Sequence, residues 1–146
     1  MKAQEEAVRV TTLFEGRSVE LVVFLSGQLA VLKSQASMLV GLCGLAVTVT
    51  GFSGAHMIRA GSVAALSMVI GIALIVVGLL VCLRTLTRLR WVTQDLTDDL
   101  VETATIVITR RNTEQRNVIV ATAFIASGLV AYLVAVVLAA WLVGAA

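Results

Sequence analysis

Three stretches of this chain contain no Asp, Glu, Lys or Arg: Ser34–Ile58, Ala60–Leu83 and Asn117–Ala146. A helix needs about 20 residues to cross a hydrocarbon core about 30 Å thick, and each stretch is longer than that. A soluble core helix can also be uncharged, but three such blocks in 146 residues leave too little polar chain to coat them. Apolar residues make up 59% of the chain and charged ones 14%, against about 45–50% and about 25% in soluble domains. The pattern predicts an all-α integral membrane protein with three transmembrane helices, at residues 34–54, 60–83 and 118–142. The whole chain, 1–146, reads as one membrane domain. Residues 1–33 and the link 84–117 are expected to be amphipathic helical segments in the cytoplasm.

The positive charges orient this layout. Lys and Arg concentrate in loops that stay on the cytoplasmic side. Lys2, Arg9, Arg17 and Lys33 precede the first span, and Arg84, Arg88, Arg90, Arg110, Arg111 and Arg116 lie between the second and third. Only Arg59 falls in the other loop, and the tail after the third span has none. The expectation is a multi-pass protein of the cell (inner or plasma) membrane, N-terminus cytoplasmic and C-terminus outside. The segment "MKAQEEAVRV" has no apolar stretch of the kind a cleavable signal carries, so the first span is expected to act as its own insertion signal. No lipidation motif is evident at either end.

The clusters "LRTLTRLRW" and "RRNTEQRN" then read as cytoplasmic-face stops, in which Arg111 and Arg116 snorkel toward lipid phosphates. Arg84, Arg88, Arg90, Trp91, Arg110, Arg111 and Arg116 are the interfacial anchors on that side. Trp141 is the anchor on the other, since Trp favours both headgroup levels. Nucleic acid is not an expected partner: the net charge is only +2, and the basic clusters lack interleaved aromatics or a known binding motif.

Periodicity suggests how far the helices extend. Val22, Leu25, Leu29, Leu32, Ala36, Leu39, Cys43, Ala46 and Thr50 alternate at three and four residues, a seam running through Lys33 into the first span. This predicts one long helix that stands out of the membrane. The competing reading is a segment lying flat on the surface, bent near Gly27. "GFSGAHMIRAG", Gly51–Gly61, is expected to be the outer turn that ends the first span, with His56 a surface residue on it. In the link, Leu89, Val92, Leu96, Leu100, Ala104 and Val107 recur at helical spacing. A break near Thr93–Thr97 is expected, with Thr97 as N-cap and a second long helix from Asp98 into the third span. "TATIVIT" is rich in β-branched residues, but a lone strand would have no partner.

Burial does not drive helices together in lipid; close approach over small residues does. The expected packing residues are Gly41 and Gly44 on the first span, and Ser67 and Gly71, with Gly78 further along, on the second. On the third they are Ala123, Ser127, Ala131, Ala135 and Ala139, small at every fourth position. The third stripe could equally face another copy, so homo-oligomerisation is expected. Cys43 and Cys82 are assigned to different depths, too far apart for a disulfide.

Chemistry is sparse. No span carries a charged residue of the kind that marks ion or proton paths. Neither cysteine has a histidine at its depth, and no Walker loop or dinucleotide fingerprint occurs. Asp95, Asp98, Asp99 and Glu102 form an acidic turn without the Gly and terminal Glu of an EF-hand loop, best read as a solvated helix start. No enzyme activity, metal or cofactor is expected. Two functions remain: a non-catalytic bacterial-type membrane scaffold or accessory subunit that self-associates or joins a larger complex, or a homo-oligomeric pore or membrane-disrupting effector. A pore would have to be lined by Ser/Thr hydroxyls or by an apolar gate; the nearest polar stripe, Ser37, Cys43, Thr48 and Thr50, does not share one face.

Overall fold

The computed structural model describes residues 3–15, 17–87 and 99–144, with side chains throughout except at 53–60, 143 and 144. Those residues are all-helical apart from short turns: α1 is Ala3–Leu13, α2 Ser18–Ala60, α3 Ser62–Thr87 and α4 Leu100–Gly144. Three of them, α2, α3 and α4, are long and apolar enough to cross a membrane.

The seam of α2 behaves as its spacing predicts. Leu25, Leu29, Ala36, Cys43 and Thr50 are buried, and the alternate members Val22, Leu32, Leu39 and Ala46 are half-buried. The helix passes through Gly27 without interruption, so the bend at that residue is not made. One glycine weakens a helix by only about 1 kcal/mol relative to Ala, too little to break one with a packed face on both sides of it.

The reversal between α2 and α3 differs from expectation. The helix does not end at Gly51; it continues to Ala60, and Gly61 alone makes the turn at φ 135°. Nothing between Gly51 and Ala60 forbids helix, since no proline occurs. Gly61 adopts a backbone conformation that side-chain-bearing residues avoid. Its carbonyl accepts the Ala65 N–H at 3.1 Å, which starts α3.

This longer α2 corrects the placement of the cysteines. With the turn at Gly61, Cys43 lies nearly as far from it along α2 as Cys82 does along α3. Both are fully buried in one cluster with Ile75, Ala121 and Ile125, and both thiols are free.

At the start of α4 the capping residue is Asp99. Its Oδ1 accepts the Val101 N–H at 2.8 Å and its carbonyl accepts the Thr103 N–H at 3.0 Å. Thr97 and the expected break at 93–97 lie outside the described residues. "TATIVIT" is helical within α4: the Thr105 and Thr109 hydroxyls donate to the carbonyls of Val101 and Thr105 at 2.7 Å each.

The cores form two tiers. At the charged end, α1, α2 and α4 close on Ala7, Leu21, Leu25, Leu29, Ala104, Val107 and Ile108. In the apolar tier, α2, α3 and α4 share the cysteine cluster, and Met68 packs on Ala135 nearer the Gly61 end. The pair α3 and α4 makes the most extensive contact of the bundle.

Candidate functional site

The polar side chains of the described residues converge where the two tiers meet. The uncharged block of α4 begins at Asn117, and the residues just before it include Arg110, Arg111 and Glu114. Residues four apart in a helix share a face. Arg110 Nε donates to Glu114 Oε1 at 3.0 Å, with side chains only 17% and 6% exposed. The other carboxylate oxygen, Glu114 Oε2, is buried without a hydrogen-bond partner among the described residues.

Arg111, one residue further round the helix, points to the other two helices of the charged-end tier. Its guanidinium donates to Gln28 Oε1 on α2 at 2.7 Å and to Glu6 Oε2 on α1 at 3.0 Å. The second Glu6 oxygen is 2.8 Å away. A planar fork with five N–H donors can serve two acceptors at once. Hydrogen bonds to charged groups contribute about 1.5–3 kcal/mol each where water is partly excluded. Arg111 therefore ties α4 to α1 and α2 together and fixes the level at which the apolar tier begins.

This corrects one expected anchor: Arg111 is turned inward onto Glu6 and Gln28 rather than outward toward lipid phosphate. Arg110 is likewise held by Glu114. Arg84 and Arg116 are exposed, as is Trp141 near the opposite end. Arg88, Arg90 and Trp91 lie outside the described residues. So do Asp95 and Asp98 of the acidic turn; Asp99 is the cap of α4, and Glu102 is exposed. Glu114 escaped the sequence reading. Its only signal was an i,i+4 Arg–Glu pair one turn before an uncharged block, a spacing equally common on solvated helices.

The packing residues divide. Gly71 is buried against α4, where a Cβ would stand 2.8 Å from the Gly128 carbonyl oxygen and 3.0 Å from Tyr132 N. At Gly78 it would meet Ile125 Cγ1 at 2.6 Å and the Ala121 carbonyl oxygen at 3.0 Å. Ser67 is half-buried. On α4, Ala135 is buried and Ala131 and Ala139 are half-buried, but Ala123 and Ser127 are exposed. Positions four apart advance about 40° past a full turn, so a stripe at every fourth residue winds around the helix. The face packed on α3 is instead Ala121, Ile125, Gly128 and Ala135. Gly41 and Gly44 are exposed, and a Cβ on either would meet nothing within 4 Å.

Among the described residues, no group of three or more His, Cys, Asp or Glu side chains stands close enough to hold a metal ion. The chain matches no protein-family model, no curated protein and no solved structure.

Proposed function

We propose that this chain is a non-catalytic scaffold or accessory subunit of a bacterial-type inner (plasma) membrane, which self-associates or joins a larger membrane complex. One observation carries the reading. The helices α2 and α4, of 43 and 45 residues, each reach about 65 Å, roughly twice the hydrocarbon thickness. Beyond the apolar tier they continue unbroken and close with α1 on a second core. Continuous helices shared by two packed tiers make a stiff post rather than a tethered domain.

In the proposed orientation, α2, α3 and α4 cross the bilayer, the charged-end tier stands in the cytoplasm, and the C-terminus lies outside. Support comes from charge: ten of the eleven Lys and Arg residues fall in the sequence before the first uncharged block or between the second and third, and Arg59 alone falls between the first and second. Each arginine moved through the core costs about 2.5–3.5 kcal/mol on the insertion scale. The pore reading gains no comparable support, since the Thr48, Thr50 and Thr122 hydroxyls donate to carbonyls of their own helices at 2.8–3.0 Å.

Two measurements test the proposal. Native mass spectrometry from mild detergent is expected to show a multimer or a mixed complex; a lone monomer across several gentle conditions overturns the scaffold reading. For orientation, an Arg59→Cys protein is expected to react with an impermeant thiol reagent outside intact cells, and a Gln115→Cys protein is not. The reverse labelling pattern inverts the topology.

A further inference from the structure

The face of α2 opposite its buried seam has an order of its own. Phe24, Val31, Met38, Leu45 and Phe52 recur every seven residues, and all are exposed. Three positions after each of the first four stand Gly27, Ser34, Gly41 and Thr48, and six positions after them stand Ala30, Ser37, Gly44 and Gly51. All eight small residues are exposed too. A row of large apolar side chains thus borders a continuous shallow groove of small ones. The pattern has the seven-residue period of helices that wrap around a partner helix.

Among the described residues, Phe24 at the lower end of this face meets the Phe14 ring, with centroids 5.5 Å apart, and the glycines of the face are uncovered. A Cβ added at Gly27, Gly41, Gly44 or Gly51 meets nothing within 4 Å, whereas one at Gly71, Gly78 or Gly128 collides with a neighbouring helix at 2.6–2.8 Å. Three glycines are explained by α3–α4 contact, and the four on α2 are not. In the orientation proposed above, lipid tails do not cover the whole face either. Phe24, Gly27, Ala30 and Val31 precede Ser34, where the uncharged block begins.

We infer that this face of α2 docks against the same face of a second copy of the chain. The inference rests on the self-association proposed above and assigns it to one surface. Symmetry favours a copy over an unrelated helix. In a parallel pair about a two-fold axis, the row on one side of the contact meets the row on its other side in the second copy. Here that lays the Phe24–Phe52 row of each chain over the Ala30–Gly51 row of the other, large on small along the whole length. The Gly27–Thr48 row lies at the centre, where small residues let backbones approach closely.

The area is sufficient. The five large residues are exposed by 44, 58, 73, 68 and 83% in chain order. At about 150–200 Å² per residue this is on the order of 600 Å² per copy. A stable pair buries about 800 Å² per partner, and the small rows with exposed Leu42 and Val49 supply the remainder.

The test is site-directed crosslinking in native membranes. In a Cys43→Ala, Cys82→Ala background, Ser34→Cys, Gly41→Cys and Thr48→Cys proteins are expected to form disulfide-linked dimers on oxidation. Leu66→Cys and Val130→Cys, at exposed sites on α3 and α4, are expected to stay monomeric. Separately, Gly41→Leu with Gly44→Leu is expected to lower the dimer-to-monomer ratio by at least about tenfold with helicity unchanged, because a Cβ at either position meets nothing within 4 Å. Dimers that crosslink only through the α3 or α4 controls overturn this face while self-association stands. Crosslinks from α2 to a different protein overturn the second copy as its occupant. Monomer under every condition overturns both the face and the self-association.

Discussion

A single methyl group at Gly128 should separate α3 from α4. A Cβ built there lies 2.7 Å from the Gly71 carbonyl oxygen, 2.7 Å from Ile75 Cγ1 and 3.0 Å from Ile75 N. Ile75 Cγ1 could move by a rotamer change, but the two backbone atoms move only if the helices part. Overpacking of this kind costs about 1–3 kcal/mol. Replacing a mid-helix glycine by alanine returns about 1 kcal/mol. The net expectation for Gly128→Ala is a loss of about 0–2 kcal/mol, and the middle of that range is roughly a fivefold fall in the folded-to-unfolded ratio. Reversible SDS titration in mixed micelles, followed by helicity and tryptophan emission, reads this directly. Gly27→Ala is the control, measured at a dilution where the chain is monomeric. Its Cβ meets nothing, so it should be neutral or stabilising by up to about 1 kcal/mol. A Gly128→Ala protein stabilised as much as the Gly27→Ala control would refute the close α3–α4 packing.

Removing the fork at Arg111 should release α1 before anything else. In Arg111→Ala the α1 amides are expected to exchange hydrogen at least about tenfold faster, the kinetic equivalent of losing one charge-assisted contact. Arg111→Lys should rescue this poorly, because an ammonium cannot span Glu6 and Gln28 as a planar fork does. Leu25→Ala, at a site 2% exposed, is expected to cost about 2–5 kcal/mol. It should speed tryptic cleavage at Arg17 while leaving α3 and α4 protected. Cys43 and Cys82, both fully buried, should resist a membrane-permeant maleimide until the bundle is unfolded; rapid labelling of the native protein would contradict their shared cluster.

The sequence made some features legible and hid others for identifiable reasons. The α2 seam was readable because its three-and-four spacing matches the period of a supercoiled helix, which keeps one face inward over many turns. The α4 stripe misled because a strict interval of four residues does not stay on one face, so Ala123 and Ser127 turn outward while Gly128 packs. The depth of the cysteines was misjudged through a single boundary. Gly51, Ser53 and Gly54 resemble a turn in composition, yet a helix tolerates them, and the reversal waits for Gly61. Once that boundary moves, Cys43 and Cys82 fall at one level without further change. Arg111 was misassigned because a basic residue at the end of an apolar block looks the same whether it faces lipid or a carboxylate. Only the docking of α1, a tertiary event, brings Glu6 to it.

The two tiers constrain each other through α2. Its inner seam commits one face to α3 and α4 in the apolar tier and to α1 and α4 at the charged end, all along one continuous helix. The opposite face is thereby held at a fixed angle from bottom to top. A flexible linker between the tiers would let the lower rows turn away from the upper ones, and a row of large residues could then meet its small counterpart over only part of its length. Arg111 sits at the level where that alignment is most exposed to error, where the tier closed by α1 gives way to the apolar tier. Its bonds to Gln28 and Glu6 fix the rotation of α2 relative to α4. Loosening them should weaken pairing along the outer face even though Arg111 does not lie on it. The expected sign of this coupling is therefore specific. Arg111→Ala should lower crosslinking at Ser34→Cys more than at Thr48→Cys, because Ser34 lies nearer the released clamp. No loss at either position would mean that the two tiers set the outer face independently, and equal loss would mean that α2 turns as one body.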